Sequence, residues 1–132
     1  MQPLKTYLVE DSPVIRESLI ATLEELVPVR VVGTADDEST AVQWLTGDGN
    51  EAQLVIVDLF LKGGSGMGVL RCAQSLRPRC KMVVLSNYAT PDVRRRCAQL
   101  GVDAVFDKSG DIEALVDYCR ELAAQVSQSD GS

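Results

Sequence analysis

Short apolar runs alternate with longer segments of helical period along this chain, and no other feature of the sequence constrains the fold as strongly. Repeated strand, helix, strand units build a parallel sheet with helices on its faces. Five runs read as strands, at residues 4–9, 29–35, 54–57, 82–85 and 103–106. The first, third and fourth are nearly continuous in apolar residues, as strands covered on both faces must be. The first helix opens at Ser12 and Pro13, an N-cap followed by a proline whose missing N–H costs nothing there, and carries Ile15, Leu19, Leu23 and Leu26 along one stripe. The fourth repeats that opening at Thr90 and Pro91, spaces Val93, Cys97 and Leu100 helically, and stops at Gly101. The fifth sets Ile112, Leu115, Val116, Cys119, Leu122 and Val126 in register, and two more helices are expected near 39–45 and 67–76. The expected class is therefore α/β: a doubly wound, five-stranded parallel sheet with five flanking helices, in the flavodoxin-like order 2-1-3-4-5.

A chain of 132 residues fits one domain, expected at 1–126, with the polar end 127–132 as a frayed tail. A net charge of −6 without long basic runs argues against nucleic acid as a direct partner. The four cysteines, Cys72, Cys80, Cys97 and Cys119, form no CxxC pair, and with no histidine in the chain they read as reduced thiols rather than a zinc site. No apolar run is long enough to cross a bilayer and the N-terminus lacks the pattern of a signal peptide, so a cytoplasmic location without membrane contact is expected.

Five polar residues follow or close the apolar runs: Glu10 and Asp11 after the first, Asp58 after the third, Ser86 after the fourth and Lys108 after the fifth. In an open parallel sheet those carboxyl ends share one crevice, and the expected order places strands one, three and four side by side. Two unit charges about 4 Å apart repel by roughly 4 kcal/mol at an effective dielectric of about 20, so three carboxylates together call for a cation. Magnesium, with its octahedral preference for oxygen, fits Asp11, Asp58 and a backbone carbonyl. Asp58 is then placed to attack a phosphoryl donor, with Lys108 and the Ser86 hydroxyl suited to the charge on the transferred oxygens.

Taken singly, each of these residues has a plainer reading. Glu10 and Asp11 before a helix start are favourable charges at its positive end, Lys108 is a solvated strand-end charge, and Ser86 a turn residue. Only the ordered set points to phosphoryl chemistry. The loop GGSGMG after the third strand invites a nucleotide-binding reading but completes neither motif: Val69 stands where GxGxxG needs its last glycine, and although Gly63 and Gly68 have the P-loop spacing, Val69 and Leu70 replace its lysine and hydroxyl residue. Its glycines are expected to relieve backbone strain. Arg94, Arg95 and Arg96 read as a solvated helix face and Trp44 as packing.

With its acidic pair Glu10 and Asp11, the acceptor-like Asp58, Gly66 eight residues later, Ser86 and Lys108, the chain resembles, over about residues 4–126, the receiver domain of two-component response regulators. The resemblance implies Mg2+ held by Glu10 (through water), Asp11, Asp58 and the Phe60 carbonyl. It also implies phosphorylation of Asp58 by a sensor histidine kinase or histidine phosphotransfer protein, with Ser86 and Lys108 contacting the phosphoryl group. A downstream protein partner follows, and the domain would be no enzyme beyond its own phosphorylation and slow dephosphorylation. The sequence departs from the family's common form at Lys62 and Ser109, where proline is frequent, and at Val105, where an aromatic residue often couples the site to the output face; Phe106 beside it alternates to the opposite side of the sheet. Phe60 and Tyr88 match the positions that flank the phosphoryl group. After Val126 too few residues remain for a DNA-binding module, which leaves a stand-alone regulator or a receiver cut from a longer parent. Two rivals stay open: a magnesium-dependent phosphohydrolase, which would need an acid two residues after its nucleophile where Phe60 stands, and an adaptor that docks without phosphorylation. A flavodoxin-like cofactor carrier is disfavoured, since aromatic residues make up only 5% of the chain.

Overall fold

The computed structural model describes residues 3–76 and 80–130, with side chains as far as 126 at the C-terminal end. Five parallel strands, β1 (Leu4–Val9), β2 (Val29–Ala35), β3 (Leu54–Val57), β4 (Lys81–Ser86) and β5 (Ala104–Asp107), form one sheet in the order β2-β1-β3-β4-β5. Between and after them run α1 (Pro13–Leu26), α2 (Glu38–Thr46), α3 (Gly66–Gln74), α4 (Pro91–Gln99) and α5 (Ile112–Asp130). The doubly wound architecture read from the alternation is the one observed. Leu19 and Leu23 of α1 and Leu115 and Cys119 of α5 cover one face with Leu8, Ile56 and Leu85. On the other face α2, α3 and α4 deliver Leu45, Leu70 and Cys97 onto Tyr7, Val55 and Val84. Every residue of β3 is buried, which is why its run LVIV carries no polar alternation.

Local chemistry sets the element ends. Ser12 Oγ accepts from the Ile15 amide at 3.3 Å and Thr90 Oγ1 from the Val93 amide at 3.2 Å, so the two Ser/Thr-Pro openings cap α1 and α4. α4 stops at Gly101, whose φ of +80° lets its amide return to Ala98. Strand β5 lies one residue later than the spacing predicts: Asp103 spends its side chain as well as its amide on the Met82 backbone, at 2.8 Å each, and so precedes the ladder rather than joining it. Helix α5 carries helical backbone to Asp130, four residues into the segment 127–132 set apart above as a tail, because no glycine or proline intervenes before Gly131. Residues 131–132 lie outside the described residues.

Trp44 of α2 stacks on Tyr7 of β1 with ring centroids 4.2 Å apart and planes 16° apart. The stack exists because β2 offers Gly33 beside it: a Cβ there would lie 2.9 Å from Tyr7 Cε1 and 3.0 Å from Trp44 Nε1. Three of the four cysteines are buried, and burial pushes the Cys119 thiol up to about 12, far from reactive thiolate. Gly33→Ala is expected to force the two rings apart at a cost of about 1–3 kcal/mol, typical of overpacking. Urea unfolding followed by the emission of Trp44 measures both the lost stability and the changed ring environment.

Candidate functional site

Three backbone hydrogen bonds just past the strand ends gather the polar residues. The Glu10 amide donates to Ala35 O at 2.9 Å, the Asp58 amide to Val9 O at 2.9 Å, and the Lys108 amide to Ser86 O at 3.0 Å. Glu10, Asp58 and Lys108 thereby leave β1, β3 and β5 at the same edge of the sheet, on the carboxyl side where the strand order reverses between β1 and β3.

Lys108 reaches across the end of β4 to both acids. Its Nζ donates to Glu10 Oε1 at 2.5 Å and to Asp58 Oδ2 at 2.8 Å, with the three side chains only 10%, 2% and 8% exposed. Half-buried Asp11 completes the group: Glu10, Asp11 and Asp58 each place a carboxylate oxygen within 4.8 Å of the others. Three carboxylates exceed one ammonium by two charges when all are ionised, and an all-oxygen donor set of this kind can hold a hard divalent cation.

The remaining lone pairs are only partly used. Glu10 Oε2 accepts from the Ser12 amide at 3.2 Å, and the Glu10 carbonyl from Arg16 at 3.0 Å. Asp58 Oδ1 accepts from the Phe60 amide at 3.1 Å. Each oxygen of Asp58 thus carries one hydrogen bond and keeps capacity for another partner. Fully buried Ser86 accepts from the Tyr88 amide at 3.0 Å through Oγ, which leaves its hydroxyl proton to donate. Over this edge lie the exposed rings of Phe60 and Tyr88, edge to face with centroids 5.1 Å apart. The structure therefore brings Glu10, Asp11, Asp58 and Lys108 together, with Ser86 on the strand between β3 and β5 and Phe60 tied to Asp58 through its amide.

Of two features of the surrounding frame, Gly66 was legible as spacing and Glu38 was not. Gly66 is required by close approach: a Cβ on it would lie 2.2 Å from the Asp58 carbonyl oxygen and 2.6 Å from Leu59 Cα. Any side chain there would push the acceptor strand end off its neighbours. Glu38, which carries no motif, holds the Ser65 amide at 2.8 Å from across the sheet's α2 side. On β5, Val105 packs on the α2, α3 and α4 face and Phe106 on the opposite face, edge to face with Tyr118 at 5.8 Å. Arg94 of α4 bonds the Val105 carbonyl at 3.1 Å and Ala89 O at 3.2 Å, so this arginine of the triplet is engaged in the frame.

A cation-ready acidic cleft with one buried lysine, at the switch point of a 2-1-3-4-5 sheet, defines a carboxylate-centred class of α/β protein. The family described as the response regulator receiver domain matches residues 7–120, and the chain belongs to that family. Among curated relatives, the Fimbriae Z protein of Salmonella typhimurium strain LT2 is 25% identical over 127 residues, covering 96% of this chain and 60% of the relative. Response regulator UvrY of Escherichia coli O157:H7 is 22% identical over 119 residues, covering 90% and 54%. The chain thus spans little more than half the length of these relatives. Two solved structures share the fold. A LuxR-family DNA-binding response regulator from Staphylococcus aureus superposes with a TM-score of 0.79 at 18% identity, covering 91% of this chain and 98% of the other. The REC domain of AraT, a response regulator from Geobacillus stearothermophilus, gives 0.78 at 22%, covering 96% and 98%.

Burial holds the Glu10 carboxyl above its ordinary value of 4.5; the Lys108 and Ser12 hydrogen bonds pull it down and the Asp58 charge pushes it further up. The folded chain therefore binds this proton more tightly than the unfolded chain, and Glu10 makes stability fall as pH rises from 4.5 through its folded value. Lys108 loses to burial first, but its hydrogen bonds to Asp58 and Glu10 win and raise it above 10.5, so its stabilisation is complete below 10.5 and is lost as pH rises beyond that. Glu10→Gln keeps an acceptor for Lys108 and removes the charge. Urea unfolding without divalent ions should show a flatter stability profile for this variant between acid pH and neutrality, and an unchanged slope would contradict the assignment.

Proposed function

We propose that this receiver domain accepts a phosphoryl group on Asp58 from the phosphohistidine of a sensor kinase or histidine phosphotransfer protein and signals through phosphorylation-dependent protein contacts. The observation that carries the reading is the Lys108 ammonium held between Glu10 and Asp58 with Asp11 beside them, one fixed positive charge among three acids at a strand edge. A packing role would not concentrate so much buried charge.

The chemistry follows from what each group offers. An Asp58 oxygen forms the new O–P bond as the P–N bond of the donor breaks and its electron pair returns to the imidazole ring, which yields an acyl phosphate. Lys108 loses the ionised carboxylate as its partner and gains the phosphoryl oxygens, so its charge is matched in both states. Ser86 can turn its hydroxyl from the Tyr88 amide toward a phosphoryl oxygen, which would carry the change into the loop after β4. Mg2+ bound by Glu10, Asp11, Asp58 and the Phe60 carbonyl would offset the carboxylate repulsion and the charge on the phosphoryl oxygens. We assign the domain to residues 1–126 and to the cytoplasm, where kinase and magnesium are available. It carries no turnover beyond self-phosphorylation and slow self-dephosphorylation. A phosphohydrolase would need an acid where Phe60 stands, and the exposed ring there supplies none.

Incubation with acetyl phosphate and Mg2+, followed by intact-mass measurement, should give one phosphoryl adduct on the parent and none on Asp58→Asn or in excess chelator. An unmodified parent that still binds its partner would favour the adaptor reading, and continuous release of phosphate the hydrolase.

The aromatic pair Phe60 and Tyr88 covers the phosphoryl position with apolar surface that hinders water. The phosphorylated double variant Phe60→Asn, Tyr88→Glu should lose phosphate several-fold faster than the parent, measured as decay of the adduct mass.

A further inference from the structure

The first turn of α3 leaves no backbone amide unpartnered from Ser65 to Gly68. The Met67 amide bonds Ser65 Oγ at 3.1 Å, Gly66 bonds Leu59 O at 3.0 Å and Gly68 bonds Ser65 O at 3.1 Å. The fourth, Ser65 itself, is taken by a residue from another helix: Glu38 Oε1 accepts it at 2.8 Å, while the Glu38 amide donates to Gly63 O at 2.9 Å. Glu38 therefore grips the glycine-rich loop with both its backbone and its side chain.

The loop's composition answers to this grip. A Cβ on Gly68 would lie 2.3 Å from Glu38 Oε2, and one on Gly64, whose φ is +84°, would lie 2.5 Å from Glu38 Cβ. Two glycines of a loop that completes no nucleotide motif thus clear the space in which this carboxylate sits.

The consequence runs to Asp58. Ser65 forms an antiparallel bridge with Phe60, and the Phe60 amide holds Asp58 Oδ1 at 3.1 Å. We infer that Glu38 is a positioning residue for the acceptor aspartate: by fixing Ser65 against Phe60 it sets the amide that orients the Asp58 carboxylate. It touches neither phosphoryl donor nor metal. This rests on the reading of Asp58 as the phosphoryl acceptor, and deepens it.

Three variants test it, each assayed well below its unfolding temperature. With acetyl phosphate and saturating Mg2+, Glu38→Ala should accumulate the Asp58 adduct about tenfold more slowly, as expected when a reacting group is misplaced rather than removed. Amide exchange at Ser65 and Phe60, followed by NMR, should quicken with it. Glu38→Gln keeps an oxygen acceptor and should restore both. Gly68→Ala leaves Glu38 in the chain but evicts its carboxylate, and should reproduce Glu38→Ala; the double variant should be no slower than either single one. Parental adduct rates in Glu38→Ala and Gly68→Ala, even with lowered thermal stability, would reduce Glu38 to a structural contact and overturn the inference. If Glu38→Ala does not fold, Gly68→Ala against Glu38→Gln decides. A parent that gains no adduct sinks the acceptor reading instead, and the exchange rates at Phe60 and Ser65 then decide whether Glu38 sets that amide.

Discussion

One ammonium group holds the functional edge of this protein together. Lys108 Nζ bonds Glu10 and Asp58 with all three side chains largely buried, and among the described residues no other side chain joins the ends of β1, β3 and β5. Removing the lysine would leave the two buried acids it bonds without their counter-charge, a loss typically worth about 3–5 kcal/mol. The arrangement is still unbalanced on the acidic side. Burial lifts Glu10 despite its hydrogen bond from Lys108, so the folded chain holds this proton more tightly than the unfolded chain does. A second cation at the three carboxylates would offset that imbalance.

The backbone around the acids is arranged with equal economy of space. Gly66 lets α3 start against the Asp58 carbonyl, and the Leu59 carbonyl returns the contact by accepting the Gly66 amide. The loop between them is therefore closed at both ends, and Phe60 projects from it as an exposed ring beside Tyr88. An acidic floor and an aromatic rim meet at one carboxylate. On β5, Val105 packs on the α2, α3 and α4 face, and Arg94 bridges its carbonyl to the loop after β4.

Much of this was legible because it is written in local rules. Apolar runs against helical period predicted five strands and five helices, and Ser12, Pro13, Thr90 and Pro91 marked two helix starts that the structure caps as expected. Asp58, Ser86 and Lys108 could be singled out only as an ordered set with Glu10 and Asp11, since each alone has a plainer use at a strand end. The shift of β5 escaped notice because Asp103 looks like a strand residue until its side chain is seen bonding Met82. Glu38 escaped for a different reason: its partner lies twenty-seven residues away, and a glutamate in the first turn of a helix is unremarkable by itself.

The sequence by itself determined the strand and helix pattern, two capped helix starts and the polar residues that follow each strand, since these depend on neighbours a few residues apart. Only the tertiary structure decided which acids share the lysine, which amide orients Asp58, and why GGSGMG is free of side chains at Gly64 and Gly68. The bonds of Lys108 to Glu10 and Asp58 and of Glu38 to Ser65 join segments far apart in the chain, and no periodicity in a linear sequence records them.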